Sequence, residues 1–358
     1  MKKLTRILNE VDSVAFMNIK NEKVITLIFS KLFDNNKNNN LFSNDYSDDY
    51  IKSLISNHLY FLIELIKIND ITTICNHLRW EVKTYSKMGF SHLFFKSMYL
   101  YIIETLKQIG EQTHSNSIEL YKYILENFEH LLVTEEIIIK NGITPSKNNL
   151  LEDFINSLLE PNLSKAISIS KESVKDKKDL KIFLEHIILP ALYSIGSKWS
   201  NAEITVGQEH TATSICQRIM SIHYEKILDC EFNQKKILVS VSPKELHEIG
   251  ARMISDLLEI NGYDTYFFGA SSSFSEIIET IEEENIDSVL ISTTLVSNLN
   301  STNEMIKKIK EHNKDIQIFV GGQAYKFSTN LDNRDLNTYI SSFDELLNIL
   351  QKRQNDRL

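Results

Sequence analysis

The stretch SPKELHEIGARM, from Ser242 to Met253, joins two different patterns. The apolar, β-branched run KKILVSV precedes it, and the amphipathic run ARMISDLLEI continues from it. Glu245, His247 and Gly250 therefore lie where a strand gives way to a helix, and open α/β sheets bind ligands at the carboxyl ends of their strands. An imidazole nitrogen is a good donor to a transition metal. A carboxylate two residues away can hold the ring's other nitrogen and fix its orientation. A glycine lets the helix start close to a bound group. Two later clusters share this setting. Ser292-Thr293-Thr294 closes the third such run, with 41 residues between Gly250 and Ser292, and Gly321-Gly322 closes IQIFVGG, with 26 residues between Thr294 and Gly321. A histidine at one strand end is often just solvated, but three clusters at three strand ends share one edge of one sheet. A fourth cluster lies upstream, where Trp199 is followed by nine residues and then Glu209-His210, with Val206 between. Taken alone, Trp199 reads as a core aromatic and Glu209-His210 as a solvated helix position.

The elements that must position these residues follow from periodicity. From Lys235 onward, β-rich runs (KILVSV, DTYFFG, DSVLIST, IQIFVGG and a short NTYISS) alternate with helical runs at 245–261, 274–285, 302–313 and 343–354. Alternation of this kind predicts a parallel sheet with helices on both faces, and five strands suit a flavodoxin-like, doubly wound α/β domain over 234–355. Residues 150–230 predict a four-helix unit, with segments near 150–159, 162–174, 177–197 and 204–229. Residues 51–149 predict an all-α domain, its helices separated by Asn69-Asp70, Gly89, Gly110 and Asn141-Gly142. Residues 1–50 read as a helical segment followed by a polar, mobile linker, FDNNKNNNLFSNDYSDDY, at 33–50.

Composition narrows the function classes. The chain has 358 residues, a net charge of -9 and no basic stripe. Residues 1–150 are charge-balanced, so the acidic excess falls on the part that carries the clusters; this disfavours a nucleic-acid surface, which needs clustered positive charge. No apolar run reads as a membrane span, and the N-terminus, broken by Glu10 and Asp12, does not read as a signal peptide. Cys75, Cys216 and Cys230 are few and scattered, which suggests neither a disulfide framework nor a thiolate zinc site and suits a cytoplasmic setting. His58, His77, His92, His114 and His130 raise the thought of haem or metal in the N-terminal part, but packed or surface histidines are the simpler expectation.

With these residues in place, the C-terminal part resembles the cobalamin-binding domain family, whose motif runs Asp-x-His-x-x-Gly, Ser-x-(Val/Leu/Thr) and Gly-Gly at matching intervals. The departure is Glu245 for the commoner Asp, a variant shared with light-sensing members. The resemblance implies that His247 is the lower axial cobalt ligand, oriented by Glu245. It also implies that Gly250, Ser292, Thr294, Gly321 and Gly322 accommodate the cofactor's nucleotide tail. The Trp, nine residues, Glu-His element resembles the helical cap of CarH/LitR-type cobalamin photoreceptors. By that resemblance Trp199 and Val206 line the adenosyl side, Glu209 binds the ribose and His210 sits beside it, selecting adenosylcobalamin. Two departures stand out. Ser200 occupies the place of the histidine that captures cobalt after photolysis, and no MerR-type DNA-binding domain precedes the cap. The expectation is a non-enzymatic adenosylcobalamin sensor, light-responsive, acting on a protein partner or on itself as a homo-oligomer, without nucleic acid or membrane. The alternative is a corrinoid methyl carrier of a methyltransferase system.

Overall fold

A computed structural model describes residues 2–11, 22–43, 45–133, 149–160, 162–227, 232–233, 235–270, 272–327 and 336–355. Asn141-Gly142 and Cys230 lie outside these. The chain divides into two compact units, with the boundary near residue 138.

The first unit is all helix: α1 (Lys2–Glu10), α2 (Glu22–Asn39), α3 (Asp48–Ile68), α4 (Ile71–Lys87), α5 (His92–Gly110), α6 (Ser115–Glu126) and α7 (Phe128–Val133). Its helix starts are set by side-chain caps, with Ser47, Asp70 and Ser91 each accepting from amides of the first turn. Asn69 ends α3 in the left-handed region at φ 54°. Phe94, Phe95, Tyr99 and Tyr121 are fully buried in its core. The linker expected at 33–50 is not one. Helix α2 runs to Asn39, and the loop after it is packed. Leu41 is fully buried, Phe42 meets Phe94 edge-on at 5.7 Å, Tyr46 stacks on Tyr50 at 4.9 Å, and the Tyr46 hydroxyl donates to the Met88 carbonyl at 2.6 Å. Four large apolar or aromatic side chains within an Asn/Asp-rich stretch bind it to the core.

The second unit begins with a helical layer: α8 (Asn149–Leu159), α9 (Leu163–Ser173), α10 (Lys177–Ser200) and α11 (Val206–His223). Helix α10 carries a π turn at Leu184–Ile188, directly before Pro190. Proline lacks the amide an α-turn would use, and a local change to wider hydrogen bonding lets the helix continue past it. By length and mean hydropathy α10 passes for a membrane span, contrary to the expectation from its sequence. Its apolar side instead fills the core of this layer, through Leu180, Phe183, Ile187, Ile188, Ala191 and Ile195.

The sheet follows: β1 (Lys236–Val241), β2 (Asp264–Phe268), β3 (Ser288–Ser292), β4 (Gln317–Gly321) and β5 (Thr338–Tyr339), all parallel, in the order β2-β1-β3-β4-β5. Helices α12 (Ile249–Ile260), α13 (Phe274–Glu283), α14 (Leu299–His312), α15 (Gln323–Phe327) and α16 (Phe343–Asn355) connect and follow the strands. Leu258 of α12 and Leu346, Leu347 and Leu350 of α16 pack with Val239, Val241, Leu290 and Phe319 on one face. Met253 and Leu257 of α12 enter the core of the helical layer, so this helix joins layer and sheet. The strand order reverses between β1 and β3, and this switch point is where doubly wound sheets open a crevice for ligands.

Candidate cofactor site

Strand register puts the three sequence clusters side by side. Val241 pairs with Ser292, and Ser292 with Gly321. Laterally paired residues of parallel strands share a face, so Ser292 and Gly321 open together on the side covered by α12 and α16. The helix expected from Glu245 starts only at Ile249, which leaves Glu245 and His247 on the loop across the switch point.

Glu245 organises that loop. It is fully buried. Its Oε1 accepts from the Leu246 and His247 amides at 3.2 and 3.1 Å and lies 2.5 Å from His247 Nδ1. Its Oε2 accepts from the Thr294 and Leu295 amides at 3.0 Å each and from the Asn298 side-chain amide at 3.1 Å. Burial pushes the carboxyl pKa up, but bonds from His247 and the Leu295 amide outweigh it and hold the group at about 2. Glu245 therefore stays an anion and accepts the hydrogen bond from His247 Nδ1–H, which leaves the electron pair on Nε2 free. The same bond raises the His247 pKa, against burial, with added pull from the Glu245 and Glu209 charges. The His247 side chain is 56% exposed, and its Nε2 has no partner among the described residues.

The surrounding groups fit a corrinoid. A corrin fills four positions around cobalt itself, so the chain need supply one axial nitrogen. The Ser292 hydroxyl has no hydrogen-bond partner among the described residues. A Cβ on Gly250 would meet nothing within 4 Å, so the space beside it is open. A Cβ on Gly321 would come within 3.3 Å of the Ile340 carbonyl. Gly322, at φ 105°, lies against the Thr293 backbone, where any side chain would collide. Thr294 takes part through its amide on Glu245.

The helical layer contributes the second group. Trp199 is half-buried in the last turn of α10. Val206 opens α11 and is 54% exposed. The Glu209 carboxylate accepts from Thr213 Oγ1 at 3.0 Å and lies 2.6 Å from His210 Nδ1. The His210 side chain is 75% exposed. The Glu209 charge adds to the upward shift of the His247 pKa, behind the bond and charge of Glu245. The Ser200 hydroxyl donates to the Ser197 carbonyl of its own helix at 2.9 Å. Cys216 is buried, which raises its thiol to about 12 and excludes it from the chemistry.

Asn298 and the Leu295 amide are partners of Glu245 that sequence reasoning missed. Asn298 lies past the third cluster, and no spacing rule marks it. Lys244 is a second missed feature: it precedes Glu245 at φ 67°, a region that glycine occupies more readily.

With this geometry in place, residues 235–337 match the family described as B12 binding domain, and residues 150–223 match a second family of the same description. Together these matches support a cobalamin-binding protein with a corrinoid cofactor, held by a helical cap over a Rossmann-like sheet. Among curated proteins, the glutamate mutase sigma subunit of Fusobacterium nucleatum subsp. nucleatum is 25% identical over 114 residues, 32% of this chain and 84% of that one. Among solved structures, the monomethylamine corrinoid protein of Methanosarcina barkeri aligns at a TM-score of 0.48 and 13% identity, over 58% of this chain and 99% of that one. The methanol:cobalamin methyltransferase complex MtaBC of the same organism aligns at 0.32 and 14%, over 63% and 91%. The resemblance to CarH/LitR-type proteins rests on the sequence element alone.

Proposed function

We propose that the chain carries cobalamin for a partner methyltransferase, holding the cofactor from below and offering its upper side to that partner. The observation behind the proposal is the pairing of a fully buried, six-fold bonded Glu245 with a half-exposed His247 whose Nε2 is unengaged. Bound cobalamin would supply a cobalt centre able to accept and release a methyl group. The chain's own residues do the rest. Glu245 keeps the proton on Nδ1 so that Nε2 points out as a ligand. Ser292, Gly250, Gly321 and Gly322 make room for the nucleotide tail between the sheet and α12. The cap residues Val206 and His210 stay exposed, which supports access by a partner protein. On this proposal methyl transfer is catalysed by the partner, in a reducing compartment that suits the free Cys75 and Cys216.

A second reading, an adenosylcobalamin sensor, is favoured by the Trp199 and Glu209-His210 element of the helical layer. One experiment separates the two. The purified chain is mixed in the dark with methylcobalamin or adenosylcobalamin, desalted, and its absorbance recorded before and after green light. Retained methylcobalamin and transfer on adding a methyltransferase support the carrier. Retention of adenosylcobalamin alone, with a stable light-driven spectral change, supports the sensor. Loss of every cobalamin on desalting removes both.

A further inference from the structure

The residue after the cobalt ligand has its own unexplained geometry. Glu248 occupies the N-cap position of α12, yet its carboxylate makes no cap bond to its own helix. A carboxylate at a helix start usually accepts from the first-turn amides, where the helix dipole favours negative charge. Glu248 instead reaches across to the loop after β2, where its Oε2 accepts from the Ala270 amide at 2.8 Å. The neighbour of that amide is Gly269, and a Cβ there would fall within contact distance of the same oxygen. The fit is specific: the loop supplies a bare glycine where the carboxylate lies and an amide where it points. One turn further along α12, the Arg252 guanidinium lies over the Phe267 ring, 4.1 Å from its centroid, and fixes the end of β2 to the same helix. Strand β2 neighbours β1, so the β2–α13 loop stands beside His247 at the carboxyl edge.

We propose that Glu248 is a positioning residue that ties the β2–α13 loop to the His247 loop and thereby sets the angle at which the imidazole meets a bound corrinoid. This rests on the cobalamin proposal above and deepens it. Glu245 fixes which nitrogen of His247 is free, while Glu248 fixes the backbone immediately beyond the ring. Losing the tether lets the 246–248 segment and the 269–270 segment move apart, so the imidazole spends more time off cobalt while Glu245 still holds its proton.

The test uses the full chain loaded with cob(II)alamin, together with E248A, E248Q and G269A. With the chain labelled with 15N-histidine, electron paramagnetic resonance reports the fraction of cobalt with an axial imidazole nitrogen, because that nitrogen splits each line in two whereas the cofactor's own benzimidazole nitrogen splits it in three. Dissociation is followed in parallel by absorbance, and thermal melting of the cofactor-free proteins checks folding. The amide oxygen of E248Q still accepts from Ala270, so that variant is expected to match the parent. E248A is expected to lower the imidazole-bound fraction and speed release about three- to tenfold, less than the roughly 10–100-fold for a direct partner of a metal ligand. G269A, which displaces the same carboxylate from the other side, is expected to match E248A, and the double variant E248A/G269A to be no worse than either. A parent-like imidazole fraction in E248A overturns the proposal, and so does an E248Q as impaired as E248A. A parent protein with no imidazole splitting strikes the cobalamin assignment instead, which keeps the two failures distinct.

Discussion

Two histidine–carboxylate pairs, His58–Glu81 in the N-terminal unit and His247–Glu245 in the C-terminal unit, are built for opposite ends. In the N-terminal unit His58 Nδ1 lies 2.8 Å from Glu81 Oε2, and its Nε2 lies 3.2 Å from the Tyr121 hydroxyl. All three residues are buried. Both ring nitrogens are engaged by the protein, so this pair is complete and serves packing. In the C-terminal unit His247 meets Glu245 through Nδ1 in the same way, but its other nitrogen is left to the cleft. A carboxylate beside a histidine therefore does not identify a ligand site. The second nitrogen must also be left open, as it is in His247 and not in His58.

Five predictions press on this contrast, in order of size. Breaking the closed pair with Glu81→Ala leaves His58 Nδ1 without its carboxylate in the core and should cost about 3–5 kcal/mol of stability. The cobalamin absorbance per folded molecule should not change. His247→Ala should do the reverse, with a melting curve near that of the parent and the axial imidazole signal abolished. If Glu81→Ala perturbs the cobalt signal as much as His247→Ala does, the division of labour is wrong.

A third buried carboxylate sharpens the point. Asp256 on α12 is buried without the bonds Glu245 enjoys. Burial and the Glu259 charge, against Arg252, raise its pKa from an ordinary 3.8 to about 7. The folded state thus holds a proton that the unfolded state has already released, so stability falls as pH rises from about 4 to about 7 and is level above. Asp256→Asn should remove that loss, gaining on the order of 2–4 kcal/mol at pH 8 and little at pH 4. A urea titration at the two pH values decides it, and an equal shift at both would contradict the assignment.

Glu245→Gln keeps the shape but loses the anion. Its effect should be about 10–100-fold on cobalamin dissociation, as for other partners of metal-binding histidines. The smallest effect belongs to the cap loop, where Ala202 adopts φ 52° just after Trp199. Ala202→Gly should relieve that strain and raise stability by up to about 1 kcal/mol in thermal melting. No change there would mean that the loop bears no strain.

Most of the C-terminal unit was legible because its signals are local. A strand of five or six apolar residues declares itself; the interval from Gly250 to Ser292 is set by α12, β2, α13 and β3, and that from Thr294 to Gly321 by α14 and β4. The strand register then had to bring them level, as Val241, Ser292 and Gly321 show. What was illegible is long-range or made by backbone. Asn298 and the Leu295 amide converge on Glu245 from some fifty positions away. The stretch 33–50 was misread because its polar count hid Leu41, Phe42, Tyr46 and Tyr50, whose partners lie on other helices. Glu248 carried no signal, because its partner is an amide.

The six bonds on Glu245 also set a timescale. Four of them come from the amides of residues 246, 247, 294 and 295, which belong to two separate loops. None of these amides can be exposed to water singly without stranding a buried charge. They should open together, in one rare event, so their hydrogens would exchange with solvent as a set and slowly. A ring held this firmly meets an arriving cofactor with little freedom left to lose. Capture would then be limited by diffusion and the tail's threading, with no wait for the loop to order.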